Sequence, residues 1–266
     1  MKDLIVDVEI LHPSELEARD IVSWRHMIAA QPAFASPLMG PEFAQAVGAV
    51  RPDARVAIWR REGRPVGFLA HHLRPSGLAR PIGAPLSDYH TLVAGEPFDA
   101  RAALAEAGLG ALRFSGLVDP LSMFAEGAHT THEAYVIELK GGAEAYLEAL
   151  RAQSAKRFKN YRRLEHKIER ELGALSVVAP DHDLVAFDQI IAWKREQLTR
   201  TGMHDFLAPA WTSQLMRNLF ATRGDDFQGL MITLRIDGHM VAGHFGVRQG
   251  AVYHPWIAST DPEMGA

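Results

Sequence analysis

A short pattern that occurs twice constrains this chain most. The first copy runs from Ile58 through Trp59-Arg60-Arg61-Glu62-Gly63-Arg64-Pro65-Val66-Gly67-Phe68-Leu69 to Ala70. The second runs from Thr233 through Leu234-Arg235-Ile236-Asp237-Gly238-His239-Met240-Val241-Ala242-Gly243-His244 to Phe245, at an offset of 175 residues. Each reads as apolar strand, acidic-Gly turn, apolar strand. An acidic residue followed by glycine tolerates the positive φ angles of a two-residue hairpin turn, so each copy predicts a β-hairpin. Two hairpins this far apart point to two related modules in tandem and not to a short-period solenoid.

The chain has 266 residues, of which 47% are hydrophobic and 23% charged, enough for one large or two modest cores. A net charge of -4 argues against a general nucleic-acid binder. The absence of cysteine excludes disulfides, thiolate metal sites and a cysteine nucleophile. Met1-Lys2-Asp3-Leu4-Ile5-Val6-Asp7 carries early acids and no apolar run, unlike a signal peptide. No stretch approaches the roughly 20 apolar residues of a membrane span. These features predict a cytoplasmic location.

Along the chain, the pattern predicts a strand over 4–11 and a helix from Pro13 to Ala30 with Ser14 as N-cap. A proline-rich loop, Gln31 to Pro37, precedes a short helix over 41–50. After the first hairpin come a Pro/Gly crossing over 78–85, a loop-to-strand passage over 87–93, a helix over 100–107 and a strand over 111–117. Residues 133–139 alternate apolar and polar as a strand does, and Lys140-Gly141-Gly142 breaks them. The domain boundary is expected near 130, giving modules 1–130 and 131–266. The second module opens with one long helix over 143–172 ending at Gly173. A strand over 175–178, helices over 183–200 and 209–223, the second hairpin and a strand over 251–259 follow. About 20 residues follow the second hairpin, against nearly 60 after the first, so the second module is expected to be cut short at its C-terminus.

An ordered set of motifs then resembles a known family. It comprises Pro32-Ala33-Phe34-Ala35-Ser36-Pro37, Glu62-Gly63-Arg64-Pro65-Val66-Gly67, Leu86-Ser87-Asp88-Tyr89, Lys156-Arg157-Phe158-Lys159-Asn160-Tyr161-Arg162-Arg163 and Ile236-Asp237-Gly238-His239-Met240-Val241-Ala242. The set resembles the CelD-like, BioF2-like branch of the GNAT acyltransferases, related to the FemABX peptidyltransferases. The resemblance implies an α/β fold of tandem GNAT-like modules, with mixed, mainly antiparallel sheets flanked by helices. It implies acyl-CoA as cosubstrate and transfer of the acyl group to an amine. The implied acceptor is an amino sugar in bacterial exopolysaccharide or envelope synthesis, at machinery on the inner-membrane face. A Pro-Gly turn, a helix and further strands would normally follow the last strand in such folds. Two other readings stay open: a FemABX-like transferase using aminoacyl-tRNA, and a degenerate GNAT-like binding or scaffold protein.

Acyl transfer from a thioester to an amine needs a base, a stabilised oxyanion and alignment, and no nucleophile motif. None of the familiar nucleophile, zinc or P-loop motifs occurs. Asp88, Tyr89 and His90 form a dense polar cluster at a loop-to-strand junction: Asp88 as orienter or base, Tyr89 and His90 as acceptor contacts. The alternative is a turn cap and a packed ring. Tyr253 and His254 are acid-base candidates on a strand, because a neutral imidazole is poised near pH 7. Trp256 and His244 are candidate substrate contacts, the latter because Gly243 before it permits close backbone approach. Arg195 and His204 are further candidates, with a structural arginine as the alternative. Lys156, Arg157, Asn160 and Arg163 on the basic helix are expected to hold the phosphates of CoA or of a sugar-linked acceptor, against the alternative of a solvated face. His71 and His72 face opposite sides of a strand, and no metal is expected.

Overall fold

The computed structural model describes residues 7–224 and 226–264. The chain forms two compact units. The first holds the residues up to His129 together with Lys194–Leu230 and Phe245–Ile257. The second holds Thr130–Trp193, Met231–His244 and the residues from Ala258 onward.

The first unit is built on a six-stranded sheet, ordered β1-β2-β3-β4-β6 with β5 paired to β3. Its strands are β1 (Asp7–Leu11), β2 (Ala54–Arg61), β3 (Arg64–Leu73), β4 (Leu78–Pro81), β5 (Val93–Ala94) and β6 (Ala111–Leu112). The first predicted hairpin is β2–β3, and its turn residues Glu62 and Gly63 take φ of 51° and 75°. β2 is buried on both faces, so it is a continuous apolar run. On one face Val56, Ile58 and Phe68 pack with Trp24 of α1 (Ala18–Ala30), Phe34, Met39 and Ala44 of α2 (Pro41–Gly48). Trp24 stacks on Phe68 at 5.0 Å and donates its indole N–H to the Met39 carbonyl. On the other face Trp59, Leu69 and Leu92 pack with Ala103 of α3 (Ala100–Glu106), and Trp59 donates to the Ala103 carbonyl. All registers are antiparallel except β4–β6.

The remaining elements are α4 (Gly142–Gln153), α5 (Ala155–Glu171), β7 (Leu175–Val178), α6 (Leu184–Arg200), α7 (Ala210–Ala221), β8 (Gln228–Ile236), β9 (His239–Gln249) and β10 (Val252–Thr260). The second sheet is ordered β10-β9-β8-β7. The second predicted hairpin is β8–β9, with φ of 47° at Asp237 and 82° at Gly238. In the second unit the Asp237 carboxylate accepts from the Ala174 N–H, and Asp181 ties Thr233 and Arg235 of β8. The fold is therefore α/β, with two mainly antiparallel sheets and helices, as expected.

Several expected elements differ. The single helix over 143–172 is two helices, because Ser154 leaves helical geometry at φ -144°, ψ 54°. Serine competes poorly for helix interiors and favours ends. Residues 133–139 form no strand: alternation alone makes no sheet without a ladder partner, and Tyr135, Val136 and Ile137 stand exposed. The strand over 111–117 shrinks to Ala111–Leu112, since Gly116 turns the backbone at φ 72°. That over 87–93 shrinks to Val93–Ala94. The helix over 13–30 is a 3-10 turn, Pro13–Glu15, followed by α1; its cap is His12 and not Ser14, with Glu15 reaching back to the His12 N–H. Leu4 to Val6 of the first strand lie outside the described residues.

Candidate active site

The first unit brings together residues far apart in sequence. The loop after β4 is fixed at several points. Gly83 donates its N–H to His72 Nε2 at 2.9 Å, and Ser87 Oγ donates to the Ile82 carbonyl at 2.6 Å. His90 donates its N–H to Gly116 and accepts from Val118 through its carbonyl. A Cβ at Gly116 would lie 2.3 Å from the Asp88 carbonyl oxygen, so only glycine lets this segment pass. These contacts leave the Asp88 side chain projecting, 62% exposed.

Asp88 Oδ1 accepts from His254 Nε2 at 3.0 Å. The imidazole is only 11% exposed. Its other nitrogen, Nδ1, lies 3.0 Å from Ser36 Oγ. Tyr89 packs edge-on against the imidazole, ring centroids 5.0 Å apart at 76°. The strand carrying His254 is pinned nearby. Trp256, on the same face of β10, meets Phe43 of α2 edge-on at 5.7 Å, and Gln249 at the end of β9 donates to Glu42 at 2.9 Å. The Trp256 indole nitrogen is buried and has no hydrogen-bond partner among the described residues.

Direction follows from the partners. The Asp88 carboxylate accepts only, which fixes a proton on His254 Nε2 and leaves the Nδ1 lone pair for the Ser36 hydroxyl. Ser36 Oγ in turn accepts the Leu38 N–H at 3.3 Å, at the start of the Pro37–Met39 turn. The chain Leu38 N–H to Ser36 to His254 to Asp88 is consistently oriented.

The other expected residues are placed differently. His90 is buried, and burial depresses its imidazole to about 4, partly opposed by the Asp88 charge. It is therefore neutral near pH 7. Tyr253 faces the side of β10 opposite His254, against Gly246, where a Cβ would meet its ring at 2.8 Å. Burial pushes its phenol up. Arg195 is ion-paired with Asp205 at 2.8 Å, and His204 stands exposed in that same loop. Gly243 is approached by Ile190 of α6: a Cβ there would lie 2.1 Å from Ile190 Cδ1. The close approach expected of a ligand beside His244 is thus made by the core, and burial lowers the His244 imidazole. His72 is spent on Gly83 and on Asp53, 3.2 Å away.

In the second unit, Lys156, Arg157, Lys159 and Arg162 of α5 have no acidic partner among the described residues, while Arg163 donates to Asn160. Arg151, Ala155, Phe158, Lys159 and Arg162 line a groove of about 390 Å³. Lys156, Arg157, Asn160 and Arg163 do not line it. No group of three His, Asp or Glu side chains with metal-binding geometry occurs among the described residues. No helix among them is long and apolar enough to cross a membrane.

Sequence reasoning missed Ser36. It lay within a quoted motif, yet nothing local marks a serine before proline as the partner of a histidine 218 residues away.

Residues 155–266 match the family described as acetyltransferase (GNAT) domain. No curated protein matches the chain. Among solved structures, one similar chain is a tandem GNAT protein from the clavulanic acid biosynthesis pathway, determined without acetyl-CoA. The identity is 12%, over 97% of this chain and 80% of that one, with a TM-score of 0.38.

Proposed function

We propose that the protein is an acyl-CoA-dependent N-acyltransferase acting on an amine, an amino sugar of exopolysaccharide or envelope assembly, at machinery on the inner-membrane face. The observation that carries the reaction class is the match of residues 155–266 to the family described as acetyltransferase (GNAT) domain. The first unit supports the base: His254, oriented by Asp88, takes up the proton released as the neutral amine is acylated, by way of the Ser36 hydroxyl on its Nδ1, and Asp88 stabilises the imidazolium that forms. Tyr89 packs edge-on against that imidazole, and Trp256 lies on the same face of β10, against Phe43. The second unit supports a phosphate site: cations with no acidic partner among the described residues crowd the first half of α5, and two of them, Lys156 and Arg157, lie in its first turn, where the helix dipole is already positive. An anion relieves both. Lys156, Arg157, Asn160 and Arg163 are assigned to phosphates of the donor or of a phosphate-bearing acceptor.

Calorimetry with acetyl-CoA and a longer acyl-CoA tests the donor, and release of free CoA thiol in the presence of amino sugars tests transfer. The expected result is binding that Lys156→Glu/Arg157→Glu weakens at least tenfold. His254→Ala should lower kcat/KM by about 10² to 10⁴-fold, the range of a lost general base. No acyl-CoA binding, with salt-steep binding of tRNA instead, would move the assignment to an aminoacyl-tRNA-dependent transferase.

A further inference from the structure

The Ser36–His254–Asp88 alignment has more parts than a general base requires. A base acting directly on an amine needs a free ring nitrogen. Here Asp88 takes one nitrogen and the Ser36 hydroxyl takes the other, each at 3.0 Å. The lone pair that would receive the substrate's proton is already aimed at Ser36. Ser36 is half-buried, and the His254 imidazole beside it is only 11% exposed. The Leu38 N–H on Oγ supports negative charge there as the proton departs. Serine, histidine and carboxylate in this relation are recognised by geometry and roles, not by order or fold. Nδ1 faces the serine and Nε2 the carboxylate; the reverse order would serve equally, since the carboxylate decides which nitrogen keeps its hydrogen.

We propose that Ser36 is a nucleophile that is transiently acylated, giving the first unit an esterase or thioesterase activity of its own. Ser36 Oγ attacks the acyl carbonyl and its proton moves to His254 Nδ1. The Oγ–C bond forms and the bond from carbon to the leaving thiolate or phenolate breaks; a leaving thiolate takes the proton from His254, whereas a nitrophenolate departs as the anion and His254 gives its proton to water. In the second step water gives a proton to Nδ1 and its oxygen attacks the acyl-serine. The C–Oγ bond breaks, the proton returns to Oγ, and the carboxylic acid departs. The sum is ester plus water to acid plus alcohol or thiol, with no other reactant. An amine entering in place of water would give the transfer product. The inference shares the His254–Asp88 base with the proposed function and does not depend on CoA as donor.

The test uses the full chain with 4-nitrophenyl acetate, followed by intact-mass and peptide mass spectrometry, and labelling by a fluorophosphonate probe. The expected result is nitrophenolate release, with an acetyl group on the peptide bearing Ser36 and probe labelling at the same residue. Ser36→Ala should abolish both, and Asp88→Asn should slow release by about tenfold or more. Because Ser36→Ala also removes a turn cap, Ser36→Cys keeps a nucleophile there and should retain acetylation. Release unchanged in Ser36→Ala, or an adduct elsewhere, would overturn the inference. Hydrolysis at Ser36 without use of acyl-CoA would leave it standing and sink the proposed donor. Acyl-CoA-dependent transfer with neither adduct nor labelling at Ser36 would do the reverse.

Discussion

At the scale of single residues, close approaches show where this chain has no freedom. Gly173 ends α5 at φ 124°, and a Cβ there would lie 2.1 Å from the Asp237 carboxylate. That carboxylate also holds the Ala174 N–H at 2.8 Å and belongs to the turn of the second hairpin. One turn residue thus fixes both its own hairpin and the entry to β7. Gly173→Ala should destabilise the second unit by about 1–3 kcal/mol, through backbone strain and the clash together. In an Asp237→Ala background the clash is gone and only the strain remains, so the same substitution should cost less. Urea denaturation of the four-variant cycle measures the coupling; equal costs in both backgrounds would refute the contact. Glycine as a helix stop was legible in the sequence. Its contact with a side chain 64 residues onward was not.

At the scale of elements, Arg60 of β2 forks onto Asp20 of α1 by two hydrogen bonds of 2.9 Å and onto Glu9 of β1 by a third. The hydrogen bond to Asp20 raises the guanidinium pKa above its ordinary value, with burial opposing it. The pair is buried, with side-chain exposures of 8% for Arg60 and 1% for Asp20. Breaking such a pair leaves a charge without a partner, so Asp20→Ala should cost about 3–5 kcal/mol. Replacing both partners, as in Asp20→Leu with Arg60→Met, should restore most of that loss. Thermal unfolding of the single and double variants distinguishes this from a simple cavity, in which the losses would add. The hairpins β2–β3 and β8–β9 were legible because their turn chemistry is local, and α2, α3, α6 and α7 because periodicity and caps are local. The break at Ser154 and the unpaired run over 133–139 were not, since each depends on what the backbone finds beside it. The same holds for the site. Asp88 and His254 carried chemical types worth naming, but their bond depends on the register of β10 against the loop after β4.

At the scale of the whole chain, burial is unevenly distributed, and the two units should respond differently to acid. The first unit contains His72 and His90, both nearly fully buried. Burial depresses each imidazole from 6.5 to about 4. Burial also lowers His71. Between pH 6.5 and 4 the unfolded chain binds these protons and the folded unit does not. The stability carried by the neutral rings is therefore complete above pH 6.5 and is lost as pH falls toward 4, on the order of 3 kcal/mol for each of the two. Asp53 beside His72 titrates lower. Burial alone would raise its carboxyl, but the Arg51 hydrogen bond and the charge of His72 hold it at about 2, so its contribution persists until pH falls below 3.8. The second unit has no such histidine pair; burial alone would raise the carboxyl of its Asp181, but the hydrogen bonds from Thr233 and Arg235 hold it below the usual range. Helices α4 and α5 contribute no buried residue at all. Hydrogen exchange at pH 7 should therefore find α4 and α5 exchanging far faster than β2 and β3, because few buried contacts oppose their local opening. Lowering the pH to 5 should then weaken protection in β2 and β3 selectively, once rates are corrected for intrinsic pH dependence, while protection of β7 and β8 holds. Equal loss of protection in both units would show that the buried histidines do not set the acid response.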